Sequence, residues 1–227
     1  MDFVCYYLIN HLIDRRESTY MLDDADKQGE KAYTTHGDER KRSLVLAAYQ
    51  LIAERGFEEL RTREVAKRAG VNIATLHYYF ARKEDLIAEV VAYLLALFRS
   101  MGVEEGEMED ATPLEHLRLM FLSLQKSTQE SPEMFVVLAE LVLRSLRDHS
   151  IQSALLQMDD EWRKYLRWVI GMGIGQGEFR QGLDVEKTVD EIIVILKGAT
   201  YHQIATRREV DFLGFLEDVK RILTSPE

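Results

Sequence analysis

The chain has 227 residues, of which 46% are apolar and 30% are charged, and its formal net charge is −10. This composition is that of an ordinary folded globular protein, so it excludes disorder throughout the chain. The single cysteine, Cys5, excludes an internal disulfide and a cysteine metal site. It predicts a reducing compartment, the cytoplasm.

The charges are distributed unevenly along the chain. Residues 40–85 hold ten lysine and arginine residues against six acidic ones, whereas residues 1–39 hold four against nine and residues 86–227 hold fifteen against twenty-four. Net charge informs about nucleic-acid binding only through its distribution. A basic segment in an acidic chain predicts phosphate binding by one end of the molecule.

Residues 1–39 form an amino-terminal extension of unclear role. Its opening apolar run of about ten residues is too short to span a bilayer, and it lacks the basic flank and cleavage site of a signal peptide, so we expect no membrane partner. Two interpretations of residues 1–20 stay open: a helix at the terminus, or a true translation start at Met21. The polar stretch DDADKQGEKAYTTHGDER has no amphipathic period and predicts a linker.

Two helices are predicted next. Apolar residues recur with helical spacing from Leu44 to Ile52, which predicts helix one, and Gly56 is suited to its left-handed end. Thr62 is the expected cap of helix two, a short segment that runs to Gly70. A tight glycine turn follows, as in a helix-turn-helix.

Helix three is predicted over residues 73–80, with Asn72 as its cap. At 100° per residue, Leu76 and Phe80 share one face and can pack against helices one and two. The remaining positions lie on the opposite face, on the flanks or in the first turn: Ile73, Ala74, Thr75, His77, Tyr78 and Tyr79. One face of this helix therefore packs, and the other meets a partner.

The rest of the chain is helical as well. Apolar spacing predicts a long helix four from Leu86 to about Met101, then a loop with the sequence VEEGEMEDATP. Ser131 and Pro132 predict the start of helix six. Helices five to nine are expected at residues 114–128, 133–148, 151–177, 185–206 and 209–224. Because no β alternation of useful length occurs, the predicted fold class is all-α.

Other sites are excluded by context. The segment GMGIGQG, residues 171–177, is not a phosphate loop, because no strand precedes it and no lysine-serine pair follows. Its glycines are expected to loosen or end a helix. The histidines lack metal-ligand spacing, and no nucleophile motif occurs, so we expect no metal, no cofactor and no enzyme activity.

The segment LRTREVAKRAGVNIATLHYYFARKEDLI resembles the helix-turn-helix of the tetracycline-repressor (TetR) family of bacterial transcription regulators. The similarity covers residues 41–87, about a fifth of the chain, and includes TREVAKRAGV in helix two and the TL, YF and KE pairs of helices three and four. The family commonly has tyrosine where this chain has His77. The resemblance implies an operator-binding domain followed by a helical effector and dimerisation domain.

The predicted partner of helix three is therefore the major groove of double-stranded DNA. The methyl groups of Ala74 and Thr75 suit thymine, and Tyr78 can reach base edges or phosphates. Flanking and terminal residues complete the predicted interface: Thr62, Arg63, Asn72, Ile73, His77, Tyr79 and Lys83. Competing interpretations are packing for His77 and Tyr78 and a solvated charge for Lys83.

An effector pocket is implied by the resemblance, between helices four to eight. Its predicted lining is apolar and aromatic with one acidic group: Phe98, Met120, Phe121, Phe135, Glu140, Met158, Trp162 and Tyr165. Stripes of this kind are also typical of a plain core. Glu140 has a second interpretation, a salt bridge to Arg144 one turn later.

Helix eight has two apolar faces, and a helix within one subunit needs only one. Val189, Ile192, Ile193 and Leu196 form the first face. The second face and helix nine predict a homodimer interface: Val194, Gly198, Tyr201, Ala205, Phe212, Phe215, Leu216 and Val219. A larger internal core is the alternative.

The predicted domains are residues 1–39, 40–86 and 87–227: an extension, a three-helix DNA-binding domain, and a ligand-binding and dimerisation domain. The predicted function is that of a dimeric repressor that leaves its operator when a small molecule binds. An activator or ligand-independent DNA-binding protein on the same scaffold is the first alternative. An enzyme that uses the helical cavity is the second.

Overall fold

The computed structural model describes residues 28–100 and 111–224. These ranges form nine helices and no strand, which confirms the all-α prediction. The helices are α1 (Gln28–Arg55), α2 (Thr62–Arg68), α3 (Ile73–Tyr79), α4 (Lys83–Ser100), α5 (Pro113–Glu130), α6 (Pro132–Ser145), α7 (His149–Gln176), α8 (Val185–Thr206) and α9 (Phe212–Thr224). The predictions for Cys5, Met21 and most of the loop after α4 lie outside the described residues.

The first helix is longer than its apolar pattern. Because α1 begins at Gln28, the linker prediction is wrong for residues 28–40. Once a helix is nucleated, each added residue gains one backbone hydrogen bond, so a polar segment can extend it without an apolar face. The packed part remains the predicted one: Leu44, Ala47, Ala48, Leu51 and Ile52 are all buried.

Local capping signals end and start the next helices. Gly56 follows α1 with φ +76° and Gly70 follows α2 with φ +69°, a backbone region that L side chains disfavour. The Asn72 side chain accepts a hydrogen bond from the Thr75 amide and caps α3, as predicted. The capping role predicted for Thr62 is wrong: Thr62 is the first residue of α2, and Arg61 precedes it without a side-chain cap.

The longer helices carry caps that the sequence analysis missed. Thr112 and Glu115 form a reciprocal capping box at the start of α5. Asp148 caps α7 and is not part of α6, which ends at Ser145. Pro132 begins α6 as predicted, although Ser131 makes no side-chain cap bond.

The described chain divides into two compact units. One holds residues 28–51 and 60–90, and its core includes Leu44, Val65, Leu76 and Leu86. The other holds residues 52–59 and 91–224, where α5 packs against α7, α8 and α9. In the described ranges, none of the helices is both long and apolar enough to cross a membrane.

Candidate functional sites

The third helix has the two faces that its sequence predicts. Leu76 and Phe80 are 1% and 2% exposed and pack inside the smaller unit, whereas Tyr78 is 82% exposed. Ile73, Ala74 and His77 are exposed as well, and Thr75 and Tyr79 are half-buried. Packing is therefore wrong as the interpretation of His77 and Tyr78. A row of exposed side chains on a rigid helix has the dimensions needed to enter a major groove.

The start of this helix is held by one side chain. Asn72 Oδ1 accepts hydrogen bonds from the Thr75 amide at 2.7 Å and from the Thr75 hydroxyl at 3.0 Å. Both residues are among the predicted DNA contacts. The pair fixes the Thr75 rotamer before any partner is bound.

Some basic side chains of the smaller unit are engaged in ion pairs, and others are available to bind phosphate. Lys41 pairs with Glu89 at 2.8 Å, and Arg82 pairs with Asp85 at 3.4 Å. In contrast, Arg63 is exposed, and Lys83 makes no ion pair within the described ranges. Lys83 is the first residue of α4, where the helix dipole favours an anion and disfavours a lone cation. A phosphate group at this point would satisfy both the lysine and the free backbone amides.

The extended α1 adds a neighbour that the sequence analysis missed. A Cβ atom at Gly37 would lie 3.7 Å from Tyr79 Oη, so α1 passes beside the end of α3. Arg40 lies one turn further along α1 and is exposed. The sequence analysis did not predict this contact, because it placed residue 37 in a linker without defined structure.

The predicted pocket residues lie at different depths in the larger unit. Phe98 and Phe135 are buried in edge-to-face contact, with ring centroids 5.7 Å apart. Phe121 is fully buried, and Met120, Met158, Trp162 and Tyr165 are half-buried. These aromatic residues supply an apolar interior, and their contact with an effector stays a prediction.

A histidine without a predicted role lies among these residues. His116 on α5 is 3% exposed, and its Nδ1 is 3.1 Å from the Tyr165 hydroxyl. Its ring also meets the Trp168 ring edge-to-face at 4.9 Å. Burial lowers the pKa of His116, because the charged form loses hydration. No sequence pattern marks this cluster, since its members come from two helices.

Glu140 makes a contact that the sequence analysis did not predict. Its carboxylate accepts a hydrogen bond from the Phe57 amide at 3.2 Å, and its contact with an effector stays a prediction. The alternative salt bridge to Arg144 is not formed. The Arg144 guanidinium lies 5.4 Å from the centre of the Phe57 ring, and its Nε is 4.0 Å from Asp148. The sequence analysis missed these contacts because Phe57 lies 83 residues before Glu140.

The two faces of α8 are separated as predicted. Val189, Ile192, Ile193 and Leu196 are buried, whereas Val194 is 69% exposed, Gly198 and Ala205 are exposed and Tyr201 is half-buried. An open depression of about 500 Å³ adjoins this second face, and Gly198, His202, Gly214 and Phe215 are among its lining residues.

The predicted role in the dimer interface is wrong for three residues of α9. Phe212 and Val219 are 0% exposed and Leu216 is 4% exposed, so they belong to the core of their own chain. They lie on the side of α9 that packs against α5 and α8. Phe215, at 38% exposed, is on the outer side. An amphipathic helix shows which face is buried but not which chain covers it.

Acidic and histidine residues do not converge in the described part of the chain. No group of three histidine, cysteine, aspartate or glutamate side chains there is placed to hold a metal ion.

The chain is similar to known regulators in sequence. Residues 44–90, which contain α2, α3 and the first part of α4, match the family described as bacterial regulatory proteins, tetR family. A fatty acid metabolism regulator protein of Bacillus subtilis is 25% identical over 182 residues, 80% of this chain and 92% of that protein. The transcriptional repressor KstR2 of Mycobacterium tuberculosis is 28% identical over 151 residues, 65% of this chain and 72% of that protein.

The DNA-binding segment, residues 44–90, is that of the TetR family. The chain is a DNA-binding transcriptional regulator, and the exposed face of α3 lies within the matched TetR segment. The TetR fold extends over the larger unit as well. A crystal structure of the regulator FadR from Bacillus subtilis in complex with stearoyl-CoA superimposes with a TM-score of 0.64 and 23% identity, and the match covers 82% of this chain and 99% of that one.

Proposed function

We propose that this regulator is a dimeric repressor that binds a pseudo-palindromic operator in the cytoplasm and releases it when an acyl-CoA binds. The observation that carries the proposal is the division of α3, with Leu76 and Phe80 buried and Tyr78 82% exposed. A helix that is anchored on one side and free on the other can enter a major groove without unfolding its own domain.

Dimerisation is supported by the second face of α8. Val194, Gly198, Ala205 and the adjacent Phe215 are exposed although they are apolar or small. Such a face permits close approach of a second copy around a two-fold axis. Two copies would present two α3 helices to half-sites one helical turn apart, about 34 Å.

The acyl-CoA class is supported by the relatives and by the chain's own interior. One relative is named a fatty acid metabolism regulator, and a protein of the same fold is described in complex with stearoyl-CoA. Here α4 to α7 contribute Phe98, Phe121, Phe135 and Trp162 to the larger unit. Aromatic and aliphatic side chains of this kind suit an acyl chain.

The test begins with selection of bound fragments from random DNA and from the source genome. Enrichment of one pseudo-palindrome supports the operator, and uniform recovery of all fragments contradicts it. The selected DNA is then titrated with protein in the presence of stearoyl-CoA, free stearate, coenzyme A or choline. We expect release by stearoyl-CoA alone. Release by choline, or by none of the four, would reject the acyl-CoA assignment.

A reporter gene placed behind the selected operator decides the direction of regulation. Repression that is relieved by deletion of this chain supports the proposal. Loss of expression upon deletion would identify an activator on the same scaffold.

A further inference from the structure

The connection between α1 and α2 belongs to the larger unit. Residues 52–59 cluster with residues 91–224, although α1 and α2 otherwise belong to the smaller unit. The contact at this connection is a hydrogen bond from the Phe57 amide to Glu140 Oε2 on α6, at 3.2 Å. Phe57 itself is 5% exposed. The chain segment that leads into α2 is thus attached to α6 by a backbone group.

The same carboxylate lies against the end of α1. Gly56 has φ +76°, and a Cβ atom there would be 3.3 Å from Glu140 Oε1. A carboxylate is disfavoured near a helix carboxyl end, where the dipole is negative. The electrostatics of α1 therefore does not explain the position of Glu140. The Phe57 amide does, because a charged acceptor forms a stronger hydrogen bond than a neutral one.

A second group of α6 holds the side chain of the same residue. Arg144, one turn after Glu140, places its guanidinium 5.4 Å from the centre of the Phe57 ring, within the range of a cation–π contact. The Arg144 Nε makes no hydrogen bond, and its nearest acidic oxygen is Asp148 Oδ2 at 4.0 Å. A hydrogen bond from that nitrogen therefore does not hold the guanidinium over the ring. Glu140 holds the backbone of Phe57 and Arg144 holds its ring.

We propose that Glu140 and Arg144 are positioning residues that clamp the connection between α1 and α2 to α6 and so set the spacing of the two recognition helices in the dimer. The inference rests on the proposed function. Only residues 58–61 separate Phe57 from the start of α2, and Gly70 and Val71 then lead to α3. A short tether of this kind transmits the position of Phe57 to α2 with little freedom.

The experiment compares the full-length wild type with Glu140→Ala, Glu140→Gln and Glu133→Ala. Glutamine retains an acceptor oxygen for the Phe57 amide, and Glu133 is an exposed residue of the same helix. Amide hydrogen exchange of Phe57 reports the clamp. Loss of a hydrogen bond to a charged group should speed its exchange on the order of ten- to hundredfold in Glu140→Ala. The Glu133 variant should stay near wild type, and the glutamine variant should lie between wild type and Glu140→Ala, because its neutral oxygen forms a weaker hydrogen bond.

The preference for one spacing between operator half-sites reports the positioning role. Replacement of a residue that only stabilises the fold would not change that preference. Affinity is measured for the selected operator and for the same operator with one base pair inserted between its half-sites. The wild type, Glu140→Gln and Glu133→Ala should bind the longer operator more weakly. Glu140→Ala should lose most of that discrimination while it still binds as a dimer, because its recognition helices are no longer held at one spacing.

The failures are distinguishable. A wild type that selects no operator would contradict the proposed function. A wild type that discriminates spacing, together with a Glu140→Ala variant that discriminates it equally, would overturn the clamp alone. Unchanged Phe57 exchange in Glu140→Ala would overturn it as well.

Discussion

The Tyr165 hydroxyl on α7 lies 3.1 Å from Nδ1 of His116 on α5, and this polar contact joins two helices inside the larger unit. His116 is 3% exposed, and burial lowers its pKa. The folded protein therefore holds a neutral imidazole at a pH where the unfolded chain begins to take up a proton.

Because His116 is buried in its neutral form, we expect the free energy of unfolding to fall in acid. The pKa is lower in the folded state, so the stabilising contribution is complete above about pH 6.5, the unfolded value, and is lost as the pH falls below it. His116→Gln should make the free energy of unfolding decline less between about pH 7 and pH 5. Denaturant unfolding at several pH values measures it. The exposed His202→Gln is the control, and an unchanged pH dependence in His116→Gln would contradict the prediction.

Tyr78 should contribute to operator affinity and not to folding. Because its side chain is 82% exposed, Tyr78→Ala should leave the melting temperature unchanged. It should weaken operator binding by about 1–3 kcal/mol per half-site and relax the preference at one or two bases. Titration of the operator and of a scrambled duplex tests this. An equal loss on both would make Tyr78 a backbone contact.

Lys83 should bind phosphate, whereas Arg82 should not. Lys83 begins α4, while Arg82 is already paired with Asp85. Lys83→Ala should weaken binding to all DNA sequences alike and lower the slope of log affinity against log salt by about one per subunit. Arg82→Ala is the neighbouring control, with a slope near that of wild type. If wild type, Lys83→Ala and Arg82→Ala had the same salt slope, Lys83 would not contact phosphate.

Gly198→Trp should break the dimer without disturbing the protomer. A Cβ atom at Gly198 meets no atom within 4 Å, so the chain itself has room for a larger side chain. A close contact with a second copy has no such room. Sedimentation should show helical monomers that lose the operator. Gly175→Trp is the matched control, because Gly175 is also an open helical glycine, and a Gly198→Trp dimer would place the interface elsewhere.

Two glycines of α7 should respond in opposite directions to alanine. A Cβ atom at Gly173 would lie 2.1 Å from the buried Phe179 ring, whereas one at Gly171 meets no atom within 4 Å. Gly173→Ala should destabilise by about 1–3 kcal/mol through overpacking. Gly171→Ala should stabilise by roughly 0.5–1 kcal/mol, because alanine loses less backbone entropy in a helix. Thermal melts of both variants measure these changes. A Gly173→Ala variant as stable as wild type would contradict the close approach of the Phe179 ring to Gly173.

The features that the sequence predicted well are local ones. The cap at Asn72 and the positive φ of Gly56 depend on neighbours within one or two turns. The burial of Leu76 and Phe80 follows from the helical periodicity of α3 itself. The polarity of residues 28–40 nevertheless led to the wrong prediction of a linker, because an existing helix can propagate without an apolar face.

Contacts between distant segments were not predictable from periodicity. The contact of Glu140 with the Phe57 amide was not predicted, because that amide leaves no mark in the sequence around α6. Likewise, Phe212 and Val219 form a face that needs burial, and the pattern does not distinguish the chain's own α5 from a second copy. Only the assembled helices supply that information.

The hydroxyl of Thr75 donates its single proton to Asn72 Oδ1, and this decides which chemistry the side chain can offer to a base. With the proton engaged, the oxygen presents only lone pairs to the groove. It can accept from the amino group of adenine or cytosine, and its methyl group can contact the methyl of thymine, but it has nothing to donate to the acceptor pair of guanine. If α3 enters the groove as proposed, Thr75 would therefore favour adenine, cytosine or thymine over guanine at the base that it contacts.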